Sequence, residues 1–350
     1  MDFTPSTAAA AVAEATDEVT ARLTPDWTEK FTRSDFEGAA WRAFAEAGLT
    51  VLALPEAFGG DSLPLDALIP LAAGAGQVAA VTPLVATLTA TAVLASSPAT
   101  AARWAQAVAD GGWAAIAVGE RGETLGAEPR VELTGEPGRR TLTGTKTGVG
   151  CADGASALLV STDDGTVVVD PGADGVTLRK TPTSSGVGEY TVTFDAVPVH
   201  DDDVLSDDGP GLADVYRALL GAYVDGLLSG ALSMTAAHVV GREQFGRPIA
   251  AFQAVGQQLA DIYVVSRTLN LIVTSAAWRV ATGRDAEQDL ATASYWVATE
   301  VPAALRTMTH LHGGVGVDLT YPLHRYFSLA KDLARLTGGS EQTLEALACM

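Results

Sequence analysis

Arg242-Glu243-Gln244-Phe245-Gly246-Arg247-Pro248-Ile249, followed by Phe252-Gln253 and Leu259-Ala260-Asp261, decides how the rest of this chain is read. Upstream of it, residues 212–241 are long enough to be one helix. Downstream, so are 252–282 and 285–312, the lengths expected of a four-helix bundle. The quoted stretch is thus the joint between the first two long helices. Taken singly, its residues say little: an Arg at a helix junction reads as a solvated cap or a surface ion-pair member, and a Phe beside it as core.

A second block lies at the far end of the third run, His310-Leu311-His312-Gly313-Gly314-Val315-Gly316, with Tyr321-Pro322 beyond it. Gly-Gly-x-Gly after a helix is ordinarily a C-terminal stop, although the missing Cβ atoms also let backbone amides approach a ligand. In the other direction the texture changes. Between Trp113 and Val199 short apolar runs (114–118, 157–160, 167–169, 190–194) alternate with Gly, Asp and Pro clusters, which predicts an antiparallel β domain. Earlier still, Phe36, Ala40, Phe44 and Ala47 recur at helical spacing behind a capping-box pair, Ser34 and Glu37. Ala/Leu-rich helix then runs to about Val108, past turns at Leu54-Pro55-Glu56 and Phe58-Gly59-Gly60. The acidic stretch His200 to Asp208, with Gly209-Pro210-Gly211, reads as a solvated linker rather than as a cation site built from Asp201-Asp202-Asp203 and Asp207-Asp208. The expected fold is α+β, with an N-terminal helical domain at 1–112, a central β domain at 113–203 and a C-terminal helical bundle at 204–350.

Composition removes several classes of function. A net charge of -20, from 22 basic against 42 acidic residues, argues against nucleic acid and against an anionic membrane surface, both of which need clustered Lys and Arg. The first 20 residues carry Asp2, Glu14, Asp17 and Glu18 and do not read as a signal peptide. The Ala-rich run from Leu71 to Ala95 is broken by Gly, Gln, Pro and Thr and does not read as a membrane span. Cys151 and Cys349 suit neither a disulfide framework nor a zinc site, so the chain reads as cytoplasmic, with no metal.

In their order and on this three-part organisation, the two blocks resemble the acyl-CoA dehydrogenase family. Its signature R-x-x-F-G-x-x-I-x-x-F-Q is followed by L-A-D and, later, by Q-x-x-G-G-x-G, where His310 takes the place of the Gln. Leu54-Pro55-Glu56 with Gly59-Gly60 is similar to its L-P-E-x-x-G-G, and Leu142-Thr143-Gly144-Thr145-Lys146 to the L-x-G-x-K of its β domain. The likeness runs from about Ser34 to the C-terminus and is closest in the last third. It implies dimers or dimers of dimers that bind FAD in a cleft completed by a neighbouring subunit. There a flavin takes hydride from the β carbon of an acyl-CoA thioester while a carboxylate removes the α proton. It also assigns FAD contacts to Arg242, Phe245, Gln253, His310, Gly313 and Gly314. Side-chain chemistry agrees with that assignment: Arg242 offers a fork of donors suited to a pyrophosphate, and Phe245 an apolar plate for an adenine or ribose edge.

The departures are as informative. The family places its catalytic Glu in one of two positions, and the spacing puts Thr337 at one and Tyr216 at the other. Neither is ionised near neutral pH, and the nearest carboxylates, Asp214 and Glu341, are displaced by two and four residues. The flavin-facing segments are altered too. Gly119-Glu120-Arg121-Gly122-Glu123 stands for T-E-P-x-x-G-S, keeping Glu120, and Gly148-Val149-Gly150-Cys151 stands where W-I-T is expected. This combination resembles the shorter, base-lacking subunit of actinobacterial heteromeric acyl-CoA dehydrogenases. It implies a longer catalytic partner in an α2β2 complex acting on a bulky acyl-CoA. The rival expectations are a self-sufficient homo-oligomer with a displaced base and a non-redox binding protein derived from the family. His312 and His324 read as packing or surface residues.

Overall fold

In the computed structural model, residues 4–31, 34–205 and 209–350 are described. The N-terminal unit holds five helices: α1 (Thr7–Thr20), α2 (Gly38–Glu46), α3 (Leu65–Gln77), α4 (Leu84–Leu94) and α5 (Pro98–Ala109). Helix α1 was not anticipated from sequence. Ser6 caps it by accepting a hydrogen bond from Ala9 N, and Val12, Thr16 and Val19 bury one stripe of it at a spacing of four and three residues, with α3 as its neighbour. The expected capping box does not form. Ser34 Oγ donates to Phe36 O, and α2 starts only after Glu37, whose carboxylate is taken by Val81 N and by the Arg325 guanidinium. Tertiary partners win over the local motif.

The middle of the chain carries β1 (Ala114–Ala117), β2 (Glu132–Thr134), β3 (Arg140–Gly150), β4 (Ala157–Thr162), β5 (Gly165–Val169), β6 (Val176–Thr181) and β7 (Glu189–Val199). They form two sheets, in the orders β1-β4-β5 and β2-β3-β7-β6. Pairing is antiparallel throughout except for β1 with β4, which run parallel in the register Ala114↔Ala157. The inward residues Leu158, Val160, Val192 and Phe194 make a core of their own. The acidic linker is less solvated than expected. Asp203 is buried, accepting from the Arg103 guanidinium at 2.8 Å and Trp104 Nε1 at 2.9 Å, while Asp207 and Asp208 lie outside the described residues.

The C-terminal part opens with α6 (Leu212–Gly241), followed by a two-stranded ribbon of β8 (Glu243–Gln244) and β9 (Arg247–Pro248), then α7 (Gln253–Ala281). Next come α8 (Glu287–Tyr295) and α9 (Val301–His312), joined through the π-helical turn Trp296–Glu300 into one rod, and finally α10 (Leu323–Leu336) and α11 (Gly339–Ala348). Helix α6 is long and apolar enough to cross a membrane, but two-thirds of its most apolar window is buried, so it is the central core helix. It serves both helical layers: a Cβ on Gly226 would lie 1.9 Å from Ala73 O, and one on Gly76 would lie 2.0 Å from Tyr223 O. Only glycine lets the backbones of α3 and α6 approach this closely, and that contact sets the N-terminal unit against the bundle.

Candidate functional site

At the end of α6 the chain leaves the helix at Arg242 (φ -86°, ψ 119°), whose N–H still donates to His238 O at 2.8 Å. The next residues fold back on themselves, with Gln244 paired to Arg247 around Phe245-Gly246 at φ 53° and 78°. Two successive left-handed residues are the type I′ hairpin geometry, which is uncommon for a bulky Phe. The turn holds the Phe245 ring out, 92% exposed, with Phe252 edge-on at 6.2 Å and the Arg247 guanidinium 4.1 Å over Phe252. Gln253 opens α7 on the same exposed segment. Arg242 is exposed, and among the described residues its guanidinium has neither a hydrogen bond nor an ion pair.

The second block closes α9. Gly313 takes φ 64°, the turn 313–317 follows, and His310 is exposed. His312 is buried instead, stacked on His238 with ring centroids 4.1 Å apart, its Nε2 3.2 Å from Thr235 Oγ1. His324 is half-buried, with Nδ1 bonded to Tyr321 O. Arg242, Phe245 and Gln253 are thus presented on one side of the His238–His312 contact and His310, Gly313 and Gly314 on the other. All six are exposed polar, aromatic or backbone groups with spare hydrogen-bonding or stacking capacity, the donor set an anionic dinucleotide needs.

Burial, and then the neighbouring His238, hold the His312 imidazole down at about 4. An unfolded histidine titrates near 6.5, so between pH 6.5 and 4 the unfolded chain takes up a proton that the folded chain refuses. This group therefore withdraws stability as pH falls through that window. Asp225 opposes it: burial pushes its carboxyl up to about 6 from 3.8, so its folded form takes the proton first and gains stability as pH falls. The two effects are separated by comparison with His312→Phe. Relative to wild type, the variant is expected to gain about 3 kcal/mol between pH 6.5 and 4, measured by urea unfolding across pH. A difference that does not change with pH would mean that His312 titrates normally.

A different part of the molecule holds the cleft between β3, the loop before β7, α6 and α10, where Gly148, Gly150 and Cys151 of one flavin-facing segment meet Tyr216 of one base position. It is a largely apolar cavity of about 140 Å³, lined among others by Gly148, Gly150, Cys151, Tyr216 and Leu336. An enclosed apolar cavity of about 150 Å³ holds a single benzene, so the inner part of this cleft encloses about one ring, and a larger ring system would extend out of it. The chain itself takes up the space. A Cβ on Gly148 would lie 2.5 Å from Leu336 Cδ1, so α10 packs directly on β3. Asp332 on α10 accepts from Ser184 N (2.7 Å), Ser185 N (2.8 Å) and Ser185 Oγ (2.6 Å), and Arg335 donates to Glu189 at 2.5 Å.

Tyr216 lines this cavity, and burial raises its phenol further above its ordinary range. Thr337 is buried just outside, donating to Ala334 O. Neither displaced carboxylate reaches the cavity: Asp214 faces Arg217 at 3.6 Å, and Glu341 is exposed on α11. The two carboxylates that do line it, Glu189 and Asp332, escaped sequence reasoning because neither sits in a motif, and both have their oxygens engaged. Glu120 is not a flavin contact either. It points inward to Lys146 Nζ at 2.6 Å with its side chain 3% exposed. The cleft therefore encloses little of a flavin ring and offers no free carboxylate for proton abstraction, whereas the exposed Arg242 and His310 segments suit the nucleotide end.

Known proteins bear out the family resemblance. The family described as acyl-CoA dehydrogenase, C-terminal domain, matches residues 212–348. The acyl-CoA dehydrogenase FadE28 of Mycobacterium tuberculosis is 42% identical over 99% of this chain and 98% of its own. Among solved structures, the steroid ACAD Tcur3481-Tcur3483 superposes with a TM-score of 0.87 at 32% identity, covering 97% of this chain and 96% of that one. The ChsE4-ChsE5 complex from Mycobacterium tuberculosis does so at 0.84 and 31%, covering 100% and 98%.

Proposed function

The chain belongs to the acyl-CoA dehydrogenase family, and from that premise we propose that it is the shorter, base-lacking subunit of a heteromeric acyl-CoA dehydrogenase. In this reading it lends Arg242, Phe245, Gln253, His310, Gly313 and Gly314 to an FAD whose flavin ring is held by a longer partner. One contrast carries the reading: the nucleotide segments stand exposed, with no partner for the Arg242 guanidinium among the described residues, while the chain's own cleft is narrowed by Leu336 and clamped through Asp332 and Arg335. FAD, when bound, supplies the hydride acceptor for α,β-dehydrogenation of an acyl-CoA. This chain's residues would bind and orient its pyrophosphate and adenine, and the partner would supply the carboxylate that removes the α proton.

Two solved structures that superpose on the chain bear on the substrate and on the assembly. One is described as a steroid ACAD and the other as the ChsE4-ChsE5 complex, which supports a bulky acyl-CoA and a hetero-oligomeric assembly. A self-sufficient homo-oligomer would need a base in a cleft where every lining carboxylate is engaged.

Flavin stoichiometry tests the proposal. Coexpressed with the longer dehydrogenase subunit, the chain is expected to give a complex holding one FAD per heterodimer. FAD that binds only the paired state should stabilise that complex in proportion to the logarithm of its concentration. Flavin absorbance per chain and native mass measure both. A homotetramer of this protein alone with one FAD per chain would overturn the assignment.

A further inference from the structure

His238 lies one turn before Arg242, and His312 immediately before Gly313, so each belongs to one of the two segments of the nucleotide half-site. Their rings stack at 4.1 Å and 20°, and Tyr321 flanks His312 at 5.3 Å. Hydrogen-bond direction fixes the state of the buried ring. Thr235 Oγ1 has one proton and donates it to Ala231 O at 2.7 Å, so toward His312 Nε2 at 3.2 Å it can only accept. Nε2 therefore carries the ring proton, and Nδ1 is a bare lone pair, buried and without a partner among the described residues.

A second proton on Nδ1 would be a buried charge with no acceptor, stacked on another imidazole. Among the described residues, Thr235 of α6 and Tyr321 of the loop before α10 contact the pair, the Arg242 charge acts on His238, and none of these is a carboxylate. The loop that follows rests against α9 and α10, yet its ligand-facing part is open: Gly313 and Gly314 have free space around them, Val315 and Val317 are exposed, and Gly316 packs back on α9.

We propose, building on the half-site reading above, that the His238–His312 stack is the positioning element of the nucleotide half-site. It pins the glycine loop to the end of α6, so that the 313–314 amides and the Arg242 guanidinium address one dinucleotide together. The stack, rather than the bond to Thr235, is the lock, because that hydroxyl is satisfied through Ala231 without His312.

Two variants separate the contributions in the flavin-loaded assembly. His312→Phe keeps a flat ring on His238 and is expected to hold FAD within about threefold of wild type. His312→Asn keeps a donor for Thr235 but no ring, and is expected to weaken FAD binding at least tenfold, about 1.4 kcal/mol. Melting of the flavin-free chain, recorded for both, distinguishes loss of fold from loss of positioning, and nitrogen NMR of the full chain should show His312 as the neutral Nε2–H form at pH 6. A charged His312 at pH 6, or an Asn variant that holds FAD as well as the Phe variant, overturns the proposal. Arg242→Ala is the control. If it leaves FAD affinity unchanged, the half-site reading itself has failed; if it strips FAD while the two His312 variants bind alike, only the stack has.

Discussion

Purified by itself, the chain is expected to oxidise no acyl-CoA above background with an artificial electron acceptor. Proton abstraction needs an acceptor within hydrogen-bond reach of the α carbon, and removing a general base costs roughly two to four decades in rate. Tyr216 lines the cleft as a phenol kept protonated by burial, and Thr337 spends its hydroxyl on Ala334 O. Glu189 and Asp332 are the carboxylates in place, yet one is bonded to Arg335 and Thr181 and the other accepts three hydrogen bonds. Steady turnover by the isolated chain would contradict this account. Its disappearance in Glu189→Gln or Asp214→Asn, with melting temperature retained, would then identify the base.

What the sequence made legible was periodicity and motif. The 212–241 run is α6 to the residue, and the 285–312 run is a single rod despite its π-helical turn and Pro302. Strands rich in Val and Leu were visible, whereas β3 was not, because its Thr-Gly-Thr-Lys-Thr-Gly reads as a turn until β7 pairs with it. Helix α1 was hidden for a related reason: alanines carry little hydrophobic contrast, and its stripe of Val12, Thr16 and Val19 makes sense only against α3. At the site, motif reading found the residues that face outward. It missed Glu189, Asp332, Thr235 and His238, which matter through partners tens to more than a hundred residues away in sequence. It also misjudged Glu120, since residue type and spacing carry no information on which way a side chain turns.

The inward turn of Glu120 leads to the largest expected effect on stability. Lys146 is fully buried, its Nζ held by Glu120 Oε1 at 2.6 Å and Ser161 Oγ at 2.8 Å, and the same carboxylate oxygen accepts from Arg130 N at 2.9 Å. Burial lowers the ammonium's proton affinity, and the bond to Glu120 works against that loss. An ion pair of this kind adds little net stability over an apolar pair, but breaking it strands the surviving charge. Lys146→Met should therefore cost about 3–5 kcal/mol, because Glu120 is left anionic in the core of the β domain. Glu120→Gln combined with Lys146→Met removes both charges, while the new amide oxygen can still accept from Arg130 N. The double variant is expected to recover much of what the single one loses, a coupling that only a charge-stranding mechanism produces. Urea unfolding of the full chain measures all three proteins. A single variant within about 1 kcal/mol of wild type, or a double variant no more stable than the single, would show that the pair is not what holds β1 to β3 and β4.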